Sequence, residues 1–448
     1  MSIQTNADVI GQFLGGMPEC CLPIEVLDAA KRCLVDWVGV SIAGGREPVA
    51  KAVAVYIGVD EFFIPRIGPF SNPGNAALLN GVAGHALDFD DTHIPTDSHI
   101  STVTWATLLA LADPSRHSGF DLLRAFVAGY EVAAKLSGRR FGFSLQFRWF
   151  HPTAIIGRLS SSAAASVLLG LPREQAMHAV VLSTSKASGL RGSMGGMGKP
   201  MQAGEAAKDG IVCAQMAAAG VEAELDLVSP NGGFIRAFVQ DQSAQLANLS
   251  ETGLGRDWAI LNTSFKPYAC LHGIHPSIDA AREVATNIVV EDVLRIRIYV
   301  APGVKKVAKF VEPSSPLEAK FSIHFCVAAA LLGSTLGADA FNMEMINNTK
   351  IRRLISLMDI VPEEGRKMLD SAVELELSTG ETRKGKTSLS RGHPGNPMST
   401  AELERKFIDL VYPVRGPIGN ELLAVLRRFE KAGAINDLAR LCHNPAAV

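Results

Sequence analysis

The stretch NAALLNGVAGHALDFDDTHIPTDSHIS, residues 75–101, decides how the chain is read. It opens with small and apolar side chains, Asn75 and Asn80 excepted, the composition of a helix packed on every side. Asp88, Asp90, Asp91 and Asp97 then crowd among His85, His93 and His99. Such a cluster is costly unless cations, hydrogen bonds or protonation relieve it, so it points to a use. Pro95 cannot continue a helix, which makes Thr92 to His99 a loop at the mouth of a helical bundle.

The same helical texture extends outward in both directions. From Pro23 to Gly44, Val26, Leu27, Ala30, Leu34, Trp37, Val38 and Ile42 recur at three- and four-residue steps. Comparable patterns predict helices over 76–87, 101–113, 120–136, 153–169, 173–188 and 203–219. Runs such as SSSAAASVLLG (160–170) let helix axes approach closely. Beyond residue 267 the period changes. VLRIRIYV (293–300) alternates through Leu294, Ile296, Ile298 and Val300, and AVELELSTGETRKGKTS (372–388) alternates before a glycine turn, which predicts a strand and a hairpin. Helices are expected at 317–333 and 342–358, and Ser399 with Glu402 forms a capping box that opens a helical tail, 399–448. The expected fold class is mainly α, with a large all-helical domain (1–266 and 398–448) and a smaller α+β domain (267–397).

Length and charge set the outer bounds. A chain of 448 residues exceeds the usual limit of one hydrophobic core. Its formal net charge of −2, with Lys and Arg dispersed, disfavours nucleic acid and membrane surfaces as partners. Seven cysteines without metal-type spacing fit a reducing compartment. The N-terminus has no basic region followed by an apolar run, and no apolar span is long enough to cross a bilayer, so a cytoplasmic location is expected.

The aspartate cluster admits three readings: a metal site, an acid/base site, or a hydrogen-bonded structural network. The metal reading is a magnesium site of the isoprenoid-enzyme kind built on Asp90, Asp91 and Asp97; no second aspartate-rich segment completes it. Asp90 and His85 are expected to face the helix instead of the loop. Three further segments carry chemistry-bearing side chains. His151 precedes Pro152 and a helix start, where anions are welcome. Glycines precede Lys199 in LRGSMGGMGKPMQAGEAAKDG (190–210), which is no P-loop because Pro200 follows the lysine. Lys266, in SFKPYACLHGIHP, marks the passage between the two domains. Carboxylate, imidazoles and lysines together suit proton removal beside a carboxylate, with lysines holding the substrate's negative groups and no cofactor required.

NGVAGHALDFDDTH, FHPTAIIG, GKPMQAGEAAKDG, FKPYAC and EAKFSIHFCVAAALL, in this order, resemble the MmgE/PrpD family. The resemblance implies a large helical domain, a smaller α+β lid and a homodimer. It also implies cofactor-independent chemistry on small di- or tricarboxylates: 2-methylcitrate dehydratase, cis-aconitate decarboxylase or iminodisuccinate epimerase activity. Carried over by motif, the site residues are Asp88, Thr92, His99, His151, Lys199 and Lys266; Arg191, Gln202 and His324, which the motif does not supply, are expected as further substrate contacts. Three departures stand out. Ser322-Ile323-His324-Phe325 replaces a segment ending in Pro-Tyr, Gln202 stands where a histidine is usual, and the loop from Thr92 to His99 is one residue longer. Loss of a phenol donor is easier to accept for epimerisation than for a lyase. The expected activity is therefore epimerisation of an iminodicarboxylate such as iminodisuccinate, with His151 or Asp88 removing the proton and His99 opposing; a lyase is the alternative.

Overall fold

The computed structural model describes residues 4–59, 64–138 and 140–443; the end of the expected helical tail, 444–448, lies outside them. Helices make up 59% of the structure, and a small mixed sheet lies in the C-terminal region. Helix Pro73–Ala86 is the hub of the helical part and is buried on all sides from Ala76 onward. Helices Ile24–Gly44, Ile100–Leu111 and Gly198–Ala218 pack around it. Small residues make this possible: a Cβ on Gly81 would sit 2.8 Å from Gly204 Cα, and one on Gly204 would sit 2.4 Å from Leu78 O. Helices Gly119–Ser137 and Pro152–Leu168 complete the bundle. Helix Thr400–Arg415, opened by the Ser399–Glu402 capping box, returns to pack on Ile24–Gly44.

The sheet runs Met358–Pro362, Val293–Val300, Ser371–Leu377, Thr382–Thr387; the first pair is parallel and the others antiparallel. The expected strand and hairpin are present, with Gly380 at φ +83° in the turn. One side chain departs from the expected alternation. The register shifts between Val293 and Arg295, so Val293 is buried and Leu294 is exposed.

Both helices expected in this region are broken. The first forms as Pro316–Ala319 and Ile323–Leu331, because the Ser322 side chain accepts from the Phe325 N–H and starts a new helix. The second forms as Met343–Asn347 and Thr349–Ser356, split where the Asn348 side chain accepts from the N–H groups of Lys350 and Ile351. The glycine-rich segment differs in the opposite sense: its helix begins at Gly198 instead of near residue 203, so Lys199 sits on the first turn. Among the described residues, no helix is long and apolar enough to cross a membrane.

Candidate active site

Asp88 follows the end of the hub helix and turns the chain sharply, with φ +51°, a conformation that Asp tolerates better than most residues. Its Oδ1 receives the Lys199 ammonium at 2.6 Å and the Lys266 ammonium at 3.2 Å. Burial pushes the Asp88 carboxyl up, but Lys199 and Lys266 outweigh it and hold the group well below the usual carboxylate range. Asp88 is therefore a fixed anion and a poor base, which corrects its expected part in proton removal. Two ammoniums on one carboxylate leave a net positive charge, a ready receptor for a substrate carboxylate.

Three buried lysines shape the turn beyond Asp88. Lys320 donates to Leu87 O at 2.9 Å, Lys266 to Asp88 O at 2.9 Å and Lys406 to Phe89 O at 2.7 Å. Three consecutive carbonyls thus each receive an ammonium, one of them from helix Thr400–Arg415 and one from the segment between the two parts of the broken helix. Lys266, at the passage between the two domains, is only 1% exposed. Lys406 had no signal in the sequence and Lys320 only its place in the block EAKFSIHFCVAAALL, since burial of a lysine is a tertiary property.

The histidines form a second layer. Asp90 accepts from His85 Nδ1 at 2.9 Å, and His99 Nδ1 lies 3.1 Å from the same oxygen, off the line of a good hydrogen bond. His85 and Asp90 stay outside the cavity lining and pack behind His99 and His151 as the site's support. The His85 ring stacks on His151 and meets His99 edge-on, with centroids 5.7 and 4.7 Å apart. Burial, with Lys199 and His99 adding to it, lowers His85 to about 4 despite Asp90. His151 is held well below its ordinary value by burial first, then by His85 and Lys199. His151 Nδ1 faces Gln202 Oε1 at 2.9 Å, while Gln202 Nε2 donates to Ser193 Oγ at 2.9 Å. That chain makes His151 a donor at Nδ1 and leaves Nε2 with its lone pair.

Asp88, Thr92, His99, His151, Lys199 and Lys266 all line one cavity, closed from the other side by Leu271, His272, Val304, Phe321 and Met368. Thr92 Oγ1 and Asp88 Oδ2 are buried and lack hydrogen-bond partners among the described residues. Asp97, read from sequence only within the aspartate cluster and its magnesium alternative, lines the same cavity, as does His272. Gln202 stands behind His151 and outside the lining. Arg191 does not reach the cavity either: its guanidinium is used on the carbonyls of Gln146 and Lys306 and lies over the Trp149 ring. His324 sits on the first turn of helix Ile323–Leu331, near the Lys305 charge and outside the cavity lining.

Among the described residues, the grouping with cation-binding donors is His85, Asp90 and His99, whose ligand atoms lie within 4.8 Å of one another. Protons on the imidazoles account for the same spacing. The aspartates of the magnesium alternative do not converge: Asp90 faces the imidazoles, and Asp91 stands beside Cys33 and Asp36 and is pushed up by burial and by Asp36. Asp97 is in the cavity wall, which neither Asp90 nor Asp91 lines.

Residues 10–247 match the MmgE/PrpD N-terminal domain, and residues 268–426 match the MmgE/PrpD C-terminal domain. The chain belongs to the MmgE/PrpD family. Among its MmgE/PrpD relatives, cis-aconitate decarboxylase of Homo sapiens is 27% identical over 432 residues, covering 91% of this chain and 88% of that protein. The Mus musculus cis-aconitate decarboxylase is 27% identical over 441 residues, covering 91% and 87%. A cis-aconitate decarboxylase of Aspergillus terreus is 26% identical over 280 residues, covering 59% and 56%.

Proposed function

We propose that this MmgE/PrpD protein is a cofactor-independent lyase of small polycarboxylates, with decarboxylation of a cis-aconitate-like tricarboxylate as its reaction. The observation that carries the reading is the pair of buried lysines, Lys199 and Lys266, converging on Asp88 beside His99 and His151. Relatives named for cis-aconitate decarboxylation support a lyase over the epimerase expected from sequence.

In this mechanism Lys199, Lys266 and Thr92 hold the substrate carboxylates. The bond to one carboxyl carbon breaks and carbon dioxide leaves. Its electron pair shifts the neighbouring double bond, and the carbon at the far end takes a proton. His99 delivers that proton from Nε2, with Asp90 behind the ring keeping that edge toward the cavity; solvent returns it. His151, neutral with a free Nε2, accepts a hydrogen bond from the departing or remaining carboxyl group only when that group is protonated, and otherwise serves as the base for substrates that must lose a proton.

Epimerisation of an iminodicarboxylate is the second reading. It rests on Phe325, which stands where the family pattern has a tyrosine and is buried in the apolar core outside the cavity lining. One experiment separates the two: purified protein in deuterated water receives cis-aconitate or single stereoisomers of iminodisuccinate. Carbon dioxide release with deuterium at one product carbon supports the lyase. Deuterium exchange with complete mass balance and a change of configuration supports the epimerase. Retention of full activity in a chelator is expected for both, and its loss counts against both.

A further inference from the structure

Asp97 stands in the cavity wall on the loop from Thr92 to His99. The loop is rigid. His93 N–H donates to Ser98 O at 2.8 Å, His93 Nδ1 lies 2.9 Å from Thr96 Oγ1, and Thr96 Oγ1 lies 2.6 Å from Ser98 Oγ. Helix Phe141–Phe147 packs so closely on it that a Cβ at Gly142 would fall 1.7 Å from Thr96 O. Asp97 itself has φ +51° and ψ +40°, closing a 3-10 turn. Among the described residues its carboxyl has no ion pair or hydrogen bond, although the loop fixes its place in a cavity that already holds two ammoniums.

We infer that Asp97, in its acid form, donates a hydrogen bond to a substrate carboxylate and makes uptake of the polyanion depend on a proton. This rests on the reading of the cavity as a polycarboxylate site. A carboxylic acid facing a carboxylate forms a short, strong O–H···O⁻ bond, whereas two carboxylates in the same buried place repel. Burial pushes Asp97 up to about 7, with Arg191 and Lys266 pulling the other way. The group is therefore poised to exchange its proton near neutrality. The charged and titratable groups around it are few. Lys266 faces it across the cavity, and Arg191 approaches from the segment Arg191–Ser193. His99, His151 and His272 share the cavity with Asp88 and Lys199, while helix Phe141–Phe147 brings no charge. His151 and His272 are both held well below their ordinary values, by burial first, and stay neutral across the range concerned. Lys305 and Lys306, on the element that supplies Val304 and Val307 to the wall, are exposed.

The test measures binding of cis-aconitate and of its saturated analogue tricarballylate by titration calorimetry from pH 6 to 9, in buffers of different ionisation enthalpy. Wild type is expected to take up about one proton per ligand at pH 8, with affinity falling about tenfold per pH unit above the Asp97 transition. Asp97→Asn keeps a donor that does not titrate, so proton uptake vanishes and the variant binds more tightly than wild type at pH 8.5. Asp97→Gly suits the same backbone and removes the donor, so its affinity is lower at pH 6 and independent of pH. In turnover the changes fall on KM and its pH slope more than on kcat. Proton uptake persisting in both variants overturns the inference while leaving the polycarboxylate site intact, and so does a loss confined to kcat. Failure of wild type to bind either tricarboxylate overturns the site itself and the inference with it.

Discussion

At the scale of single residues the site separates groups that hold charge from groups that move protons. Lys199 and Lys266 belong to the first kind: each gives an ammonium to Asp88 and keeps that carboxyl ionised. Replacing either by Met leaves a buried carboxylate with one cation and removes half of the anion receptor. Turnover measured as kcat/KM should fall by roughly 10²–10³-fold, the usual effect of deleting one preorganised electrostatic contact. Asp90 and Gln202 belong to neither kind, since they act through the imidazoles. Asp90→Asn is expected to reduce kcat by about 10²-fold with little change in KM, because His99 loses its orientation but the lysines remain. Gln202→Leu should shift the acid limb of the pH–rate profile, since His151 Nδ1 loses its acceptor; an unchanged profile would remove Gln202 from the mechanism.

At the scale of elements, close helix approach and helix breaks place these side chains. Gly204 lets helix Gly198–Ala218 lie against helix Pro73–Ala86, which brings Lys199 to Asp88 at the end of the latter. Gly204→Ala forces a Cβ toward Leu78 O, now 2.4 Å from the ideal position, and should cost about 1–3 kcal/mol in unfolding free energy, read by denaturant titration. Activity should fall as well, because the two elements that carry the charge pair are pushed apart. The break at Ser322 matters for a different reason. It allows Lys320 to turn inward to Leu87 O and Phe321 to line the cavity, which a continuous helix over 317–333 would not. Loss of the cap in Ser322→Ala is worth about 1 kcal/mol.

At the scale of the whole molecule, the helical core and the sheet-bearing part are tied through a buried charge at their join, where Lys320 bridges Leu87 O and Ala269 O, while Lys406 pairs with Asp36 at 2.7 Å inside the helical part. The same burial makes stability depend on pH. His85 is ordinary at 6.5 in the unfolded chain and about 4 when folded, so the unfolded state binds more protons between those values. Its contribution is complete above pH 6.5 and is lost as pH falls toward 4, on the order of 3 kcal/mol. His151, shifted in the same direction, adds to the loss. Thermal melting followed from pH 7.5 to 4.5 should show a steep decline that His85→Gln reduces; a flat profile would contradict neutral burial of these rings.

Much of this was legible in one dimension. Periodicity and small-residue runs are local, so the bundle helices, the strand and the hairpin could be read from spacing, and DFDDTH with its downstream blocks marked six residues that do share a cavity. The sequence by itself thus determined the helical hub, the change to a sheet-bearing part and the chemical character of the site. Only the tertiary structure decided which ionisable groups are partners. Lys320 and Lys406 look like any surface lysines until burial leaves them no solvent, Arg191 is diverted to backbone carbonyls, and Asp97 becomes part of the cavity wall. Charge, unlike helical period, takes its meaning from what lies across a cavity and how much water remains there, and neither is encoded in neighbouring positions along the chain.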